Sequence, residues 1–427
     1  MKKNLKVLII STRDKVGGAA KAAYRLHQSF LSSGIDSYML VLSKTTTEDR
    51  ILGPEGIKDT ILSKVTPSLN SLYLNYISRK KSRRVFSTTY SLYSISQKIK
   101  KIDPDIVNFH WVGDGFFSMN QLKNINYPIF WTLHDMWPFT GGCHYAMECE
   151  NYQSKCGKCP ALSSNKAHDL SSTLFEHKQN SYGKCNITVV ALSNWLAECA
   201  RKSALFNKND IVVLPNPINT HIYKPLDKTS ARKLLNLPVE GRLVLFGAMN
   251  QSSPIKGFNK LVEAVGALPK GKLELVILGA SQPQEIFEAK HKVHYLGRLV
   301  DDISLVAAYS AADVVVVPSI YENLSNVIME SLACGTPVAA FDIGGNSDLI
   351  THEENGYLAK PYDTKDLAQG INWIIEKDER RLSLQTNSRN SVLKKYNSKF
   401  VAEAYISLFQ KKLDLSTLTR FTENETY

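Results

Sequence analysis

The sequence predicts an α/β protein built as two doubly wound domains that face one another across a cleft. Three observations lead there. Short apolar runs alternate with segments of helical spacing along most of the chain, the pattern of parallel strands covered by helices on both faces. The alternation comes as two series, one on each side of a Pro- and Asn-rich stretch at 215–230. A length of 427 residues also exceeds what one hydrophobic core usually organises.

In the first series, "LKVLIIS" (5–11) reads as a strand. A glycine pair follows, then helical spacing at Ala20, Ala23, Leu26 and Phe30 runs to Gly34. "DSYMLVL", "DIVNFHW", "YPIFWTLHD", "NITVVALS" and "IVVLPNP" supply further strands. The second series offers "RLVLFGA", "LELVILG", "KVHYLG", "ADVVVVPS" and "TPVAAF", with helices near 259–268, 303–312 and 324–334. The expected domains are therefore 1–220 and 221–397, with a helix at 398–415 returning to the first and a polar, frayed tail at 416–427.

The net charge of +12 points to an anionic partner: a phosphorylated small molecule, a membrane surface or nucleic acid. There is no zinc-finger spacing, aromatic RNA-binding motif or long basic tail, so nucleic acid is not expected. No apolar run reaches the ~20 residues of a membrane span, and "LKVLII" is short for a signal-peptide core. The cytoplasm is the expected location, with room for a peripheral membrane contact.

In doubly wound sheets, ligands sit beyond the carboxyl ends of the strands, so the residues that follow each strand are the site candidates. In "SIYENLSNVIMESLACGTPVAAF" (319–341), Glu322 stands in the loop after a strand and Glu330 inside the next helix. Ser325 or Asn323 would cap that helix, whose amino end suits a phosphate. The two acids could reach hydroxyl-bearing rings on either side. The residues leave a second reading open, with Glu322 capping a helix end and Glu330 solvated. Lys256 sits at a helix start, where an ammonium opposes the dipole; that mismatch favours an anion ligand over a surface lysine. His134 and His110 end strands. Gly17 and Gly18 allow a close backbone approach at the first strand–helix turn, but the full dinucleotide fingerprint is missing, so a nicotinamide site is not expected.

Two further features stand apart. "CHYAMECENYQSKCGKC" spaces Cys143, Cys149, Cys156 and Cys159 as C-x5-C-x6-C-x2-C. The last pair has the form of a metal knuckle, and a structural zinc would staple the loop; four reduced thiols are the other reading. In "LNSLYLNYISRKKSRR" (69–84), Leu69, Leu72, Tyr73, Tyr76 and Ile77 follow helical spacing, and five of the six residues from Arg79 to Arg84 are basic. This pattern fits an anionic bilayer, or a helix packed on the first domain with a solvated basic end.

The stretch P-S-x-Y-E-x7-E-S-L-A-C-G-T-P-V followed by "IGG" resembles the signature of the retaining glycosyltransferases of family 4. The likeness continues in "GGAAKAAYRL" (17–26), "VLPNPIN" (213–219), "KGFNKLVEA" (256–264), "VILG" (276–279), "YLGRL" (295–299) and "ENGYL" (354–358). "TLHDMWPFTGGCHY" is similar to bacterial enzymes that build capsule, O-antigen or exopolysaccharide repeats.

The resemblance implies the GT-B architecture of two facing Rossmann-like domains. It also implies transfer of a sugar, with retained configuration, from a nucleotide diphosphate donor to a hydroxyl of a lipid-linked glycan. Glu322 would bind hydroxyls of the donor sugar and Glu330 the ribose. The backbone amides of Leu324, Ser325 and Asn326 would cradle the diphosphate, with Gly17 and Gly18 also on the donor side. Lys256 would neutralise the leaving group and His134 would contact the donor sugar, with no catalytic metal. Many members carry an arginine shortly before this lysine, but "FGAMNQSSPIKG" has none. Either Lys256 acts with the helix end alone, or Arg298 or Arg13 supplies the second charge. Two other readings remain at this stage: a sugar-nucleotide epimerase of the same architecture, and a non-catalytic basic protein acting through Arg79–Arg84.

Overall fold

A computed structural model describes residues 5–77, 86–247, 254–269, 271, 273–279 and 291–424, with the backbone alone at 254 and 416–424. The chain forms two compact units, Met1–Pro217 with Lys399–Tyr427, and Ile218–Ser398.

The first unit holds β1 (Lys6–Arg13), β2 (Asp36–Ser43), β3 (Ile51–Leu52), β4 (Ile106–Phe109), β5 (Ile129–Leu133), β6 (Ile187–Ala191) and β7 (Ile211–Val213). They form one sheet in the order β3-β2-β1-β4-β5-β6-β7, with every ladder parallel. β5 and β6 are buried at every position, as parallel strands covered on both faces must be. On one face Phe109, Trp131, Trp137, Phe139 and Phe206 form the core. On the other, Phe30 and Phe130 meet Tyr405 and Phe409 of the last helix, with ring centroids 4.6 to 6.1 Å apart. That helix spans Ser398–Asn424, so the stretch expected as a polar tail is helical as far as Asn424. "STLTRFTEN" contains no Gly or Pro to stop it.

The second unit holds β8 (Leu243–Gly247), β9 (Glu274–Leu278), β10 (Val293–Gly297), β11 (Val314–Val317), β12 (Val338–Phe341) and β13 (Gly356–Ala359). Their order is β10-β9-β8-β11-β12-β13, again all parallel. The sequence reading missed β3, a two-residue edge strand, and β13, whose "GYLA" opens on glycine.

Both sheets reverse their winding direction once, between β1 and β4 in the first and between β8 and β11 in the second. Such switch points open a crevice beyond the strand ends, where doubly wound sheets bind ligands.

The second sheet is anchored just ahead of β11 by Asp313, which is fully buried. Its carboxylate accepts from Lys228 Nζ at 2.7 Å, Arg232 Nη2 at 2.8 Å and the Leu243 amide at 2.8 Å, and also pairs with Arg381. Two helices, Lys228–Leu234 and Asp378–Lys395, are thereby tied to the sheet. Burial would raise the Asp313 pKa, but these cations and the amide hold it below the usual carboxylate value. A depressed carboxylate stabilises the fold above its unfolded pKa of about 4 and loses that contribution as pH falls through the folded value. Asp313→Ala should cost about 3–5 kcal/mol, since it leaves buried cations unpaired. In urea titrations the wild-type midpoint should fall with pH below about 4 more steeply than that of the variant.

Candidate functional site

The second switch point brings together two residues singled out in the sequence. After β8 the chain reaches a 3₁₀ turn, Pro254–Lys256, and after β11 it runs through the loop 318–324. The Ile320 amide donates to Ile255 O at 2.8 Å, lacing the two segments. Lys256 Nζ then lies 2.7 Å from Glu322 Oε2, which also accepts from Ser319 Oγ at 3.2 Å. Glu322 is 9% exposed, whereas the Lys256 side chain is 41% exposed, so the ammonium is the group open to an incoming anion.

Two glycines set this geometry. Gly257 has φ 68°, and a Cβ there would fall 1.8 Å from Pro318 O. Gly344 has φ 54°, and a Cβ there would fall 1.8 Å from Glu322 O. The loop carrying Glu322 is thus flanked by two backbone turns that only glycine fits. The "KG" and "IGG" pieces of the signature serve one structural purpose.

Behind the loop, the helix Asn326–Ala333 is capped by Ser325, whose Oγ accepts the Ile328 amide at 3.4 Å. Leu324 and Ser325 are buried and Asn326 is half-buried, so the start of this helix sits directly behind Glu322. Glu330 is only 3% exposed and accepts from the Tyr309 hydroxyl at 2.8 Å. The reading in which Glu330 is solvated is therefore excluded. Burial, reinforced by Glu330, pushes the Tyr309 pKa well up and keeps the phenol a donor.

Arg298 follows β10 and is exposed; among the described residues it joins no ion pair. Arg13 lies in the first unit and is paired with Asp114 at 3.2 Å. Gly17 is the N-cap of the helix that begins at Gly18, with φ 103°. Its backbone angle favours glycine, and a Cβ there would meet no protein atom within 4 Å.

In the first unit the polar groups gather at the ends of β4 and β5. His110 Nδ1 and His134 Nε2 are 2.8 Å apart, and Asn108 Nδ2 lies 3.2 Å from His110 Nε2. Burial pushes His110 well below the ordinary histidine value and His134 down to about 4, against the pull of Asp135, so both rings are neutral near pH 7. Asp135 accepts from Trp111 Nε1 at 3.1 Å and the Trp137 amide at 2.9 Å, and contacts His144 Nδ1 at 2.6 Å. His144 Nε2 in turn meets Ser87 Oγ at 2.9 Å. A cavity of about 260 Å³ opens at the ends of β1 and β2, lined in part by Thr12, Arg13, Ser43, Ser63 and Asp114.

Sequence reasoning missed Asn108, Trp111, Asp135, His144, Tyr309 and Lys178. Asp135 and His144 lay inside the quoted "TLHDMWPFTGGCHY" and could have been found there. Lys178 carried no signal, because a lysine within a helix reads as solvated. It is in fact buried, donates to Trp137 O and to Thr140 O at 2.9 Å, and burial pushes its pKa down to about 7.

The cysteines are free thiols. Cys143 and Cys159 meet in a small apolar cluster with Phe86 and Leu162, while Cys156 Sγ accepts the Gly141 amide at 3.2 Å. The bond from Cys143 holds Cys159 down to about 7, whereas burial pushes Cys156 up to about 12. Among the described residues no group of three or more His, Cys, Asp or Glu side chains is arranged to hold a metal ion. The loop brings the four thiols near one another, with Cys143 bonded to Cys159 and Cys149 and Cys156 within electrostatic reach of Cys143.

The basic cluster Arg79–Arg84 lies outside the described residues. The helix before it spans Gly56–Ile77, and Thr66 is its buried residue. Ile57, Ile61, Leu69, Leu72 and Tyr76 are exposed, Leu72 at 65% and Tyr76 at 88%. The helix rests on the first unit through Leu62, Thr66 and Tyr73, while those named above stay exposed. Among the described residues no helix is long and apolar enough to cross a membrane.

Two Rossmann-like domains, with an acid–lysine pair at the switch point of the second, define the GT-B class. Residues 16–222 match the Glycosyltransferase Family 4 model and residues 227–391 the model for glycosyl transferases group 1. The chain belongs to the family-4 glycosyltransferases. It is 25% identical over 278 residues to an uncharacterized glycosyltransferase of Methanocaldococcus jannaschii, covering 62% of this chain and 69% of that one. It is 34% identical over 172 residues to the D-inositol 3-phosphate glycosyltransferase of Xylanimonas cellulosilytica, a match spanning 38% of this chain and 40% of that relative. Among solved structures, sucrose-phosphate synthase from Thermosynechococcus elongatus superposes with a TM-score of 0.68 at 20% identity, covering 96% of this chain and all (100%) of that one. Anabaena Alr3699/HepE in complex with UDP gives 0.63 at 17% identity, with 95% and 100% covered.

The glycine geometry can be tested directly. Gly344→Ala should cost more stability than Gly17→Ala in thermal melts. Both place alanine at a sparsely populated positive φ, costing about 1–3 kcal/mol, but only the first adds a clash with the Glu322 carbonyl. Equal losses would show that the Glu322 loop yields freely.

Proposed function

We propose that this glycosyltransferase moves a sugar from a nucleotide diphosphate donor to a hydroxyl of a lipid-linked glycan in cell-surface polysaccharide synthesis. The observation that carries the donor half is the Lys256–Glu322 contact at 2.7 Å, placed at the switch point beside a helix amino end. The diphosphate binds at the amides around Leu324, Ser325 and Asn326 and takes the Lys256 ammonium as counter-ion. Glu322 accepts hydrogen bonds from the donor sugar and Glu330 from the ribose, since a carboxylate is an acceptor only. Anabaena HepE, which shares the fold, was solved with UDP-glucose, in keeping with this reading.

In the reaction the bond between the anomeric carbon and the phosphate oxygen breaks. The acceptor oxygen bonds to the same face of that carbon, and its proton passes to the departing phosphate, so the configuration is retained. Lys256 stabilises the charge that grows on the leaving group, and His134 contacts the donor sugar. Arg298, exposed beyond β10, and Gly17 and Gly18 are assigned to the donor side on the family resemblance.

The acceptor half rests on the helix Gly56–Ile77, whose exposed apolar residues precede the basic run Arg79–Arg84. An amphipathic helix with a basic flank suits an anionic bilayer. WaaG, a structural neighbour with a TM-score of 0.62 at 15% identity, is involved in lipopolysaccharide biosynthesis.

A thermal-shift screen against UDP, GDP, ADP and TDP sugars tests the donor site. The matching donor raises the melting temperature by mass action, and Glu330→Ala abolishes that rise. Lys256→Ala should lower kcat by about 10²–10³-fold. A shift that survives Glu330→Ala refutes the ribose assignment, and donor turnover without any acceptor selects the epimerase instead.

Vesicle co-sedimentation tests the acceptor side. Binding to vesicles containing phosphatidylglycerol should exceed binding to phosphatidylcholine alone, and Leu72→Asp with Tyr76→Asp should reduce it. Indifference to both changes rules out this helix as the docking face.

A further inference from the structure

Residues 140–169 link the 3₁₀ turn Trp137–Phe139 to the helix Leu170–Tyr182. Their own regular structure is two further 3₁₀ turns, Asn151–Gln153 and Pro160–Leu162. A connection of this length inside a compact unit needs more than backbone ladders to fix it. Cys143, Cys149, Cys156 and Cys159 all lie in this stretch. Between the last two the chain turns sharply. Lys158 takes φ 46°, a conformation a lysine adopts only where its surroundings hold it, and a Cβ at Gly157 would fall 2.3 Å from Ala167 O.

The surroundings of the sulfurs suit thiolates. Cys156 Sγ accepts the Gly141 amide at 3.2 Å. Cys159 is favoured as an anion first by the bond from Cys143 and then, against burial, by the amides of Leu162 and Ala161. Cys149 lies within electrostatic reach of both Cys143 and Cys156. An independent observation comes from Lys178. It is fully buried, with Nζ 4.1 Å from the Trp137 ring centroid, and its hydrogen bonds go to two backbone carbonyls, Trp137 O and Thr140 O. The ionisable groups it feels are Cys156, Asp135 and Cys143. Asp135 is already engaged by His144, Trp111 and Trp137. A buried ammonium keeps its charge only beside a compensating anion, and the two sulfurs are placed to supply one.

We propose that Cys143, Cys149, Cys156 and Cys159 bind one zinc ion as a tetrathiolate, a structural site that fixes the loop 140–169 of the first unit. An all-sulfur set selects a soft, tetrahedral ion. Four thiolates around Zn²⁺ leave a net negative charge, which the Lys178 ammonium offsets in part. His144, next to Cys143 in the chain, is not a ligand: its Nδ1 meets Asp135 and its Nε2 meets Ser87. In this structure the sulfurs stand as thiols, with Cys143 bonded to Cys159, and are not closed round one point. On binding, the four S–H bonds break, their protons pass to solvent, and four Zn–S bonds form with no change of oxidation state. Cys149 and Cys156 draw in on the Cys143–Cys159 pair as they do so. Through Cys143 the ion steadies the neighbouring His144 against Asp135.

Metal analysis of the full chain, purified without chelator, should find about one zinc ion per chain. Cys156→Ser with Cys159→Ser should remove it. Cys185→Ser with Cys199→Ser, which changes thiols outside the loop, should leave it in place. Should the first variant fail to fold, the wild-type protein still decides. After its zinc is exchanged for cobalt(II), it should show the intense visible absorption of tetrahedral thiolate coordination. Stripping the ion should lower the melting temperature. Wild-type protein that holds no zinc and gives no cobalt–thiolate absorption overturns the site. So does zinc lost equally from the two variants, or a Cys143–Cys159 disulfide in the protein as purified. None of these measurements needs a sugar donor, so they stand apart from the tests of glycosyl transfer.

Discussion

The contact between Lys256 and Glu322 is the interaction around which the second unit is arranged. It spans the switch between β8 and β11, so it forms only if both strands pair in register and both following loops are held down. The Ile320–Ile255 hydrogen bond, the two glycine turns and the Ser325 cap all serve that closure. The neighbouring acid also balances the charge of the half-exposed lysine. Without a counter-charge, that ammonium would sit against the positive end of a helix dipole.

The two switch points divide the chemistry by type. The second carries fixed charge, in a lysine and two carboxylates, one open to solvent at its partner and one deep in the helix layer. The first carries neutral polar groups: two histidines kept uncharged by burial, an asparagine, and a carboxylate already engaged by His144 and two tryptophans. Charge suits an anionic leaving group. Neutral donors of fixed orientation suit hydroxyls, where direction matters more than Coulomb strength.

How much of this was readable in the sequence depended on what kind of physics wrote it. Strands such as "VVVV" at 314–317 are apolar throughout because both faces are covered, and they were found. β3 and β13 escaped because edge strands need little hydrophobic patterning. Glu322 and Lys256 were found through their local context, but their pairing was not, since a separation of 66 positions says nothing about distance. For Glu330 the residues left a ligand-binding and a solvated reading open, because its partner Tyr309 lies 21 positions earlier, on another helix. The cysteine spacing suggested a metal because knuckle geometry depends on few residues. The fold sets Cys143 against Cys159 beside Leu162, with Cys149 and Cys156 within electrostatic reach of Cys143.

The first unit is discontinuous, for its core includes Tyr405 and Phe409 from beyond the second unit. During synthesis the ribosome must therefore release the chain past Phe409 before that core can close, while the uninterrupted second unit can complete itself beforehand. The amino-terminal half must wait with Phe30 and Phe130 uncovered, an interval in which chaperones or aggregation would compete for it. Genetic rearrangement is constrained in the same way: the amino-terminal half cannot be shuffled between relatives as a cassette unless its carboxy-terminal helix travels with it.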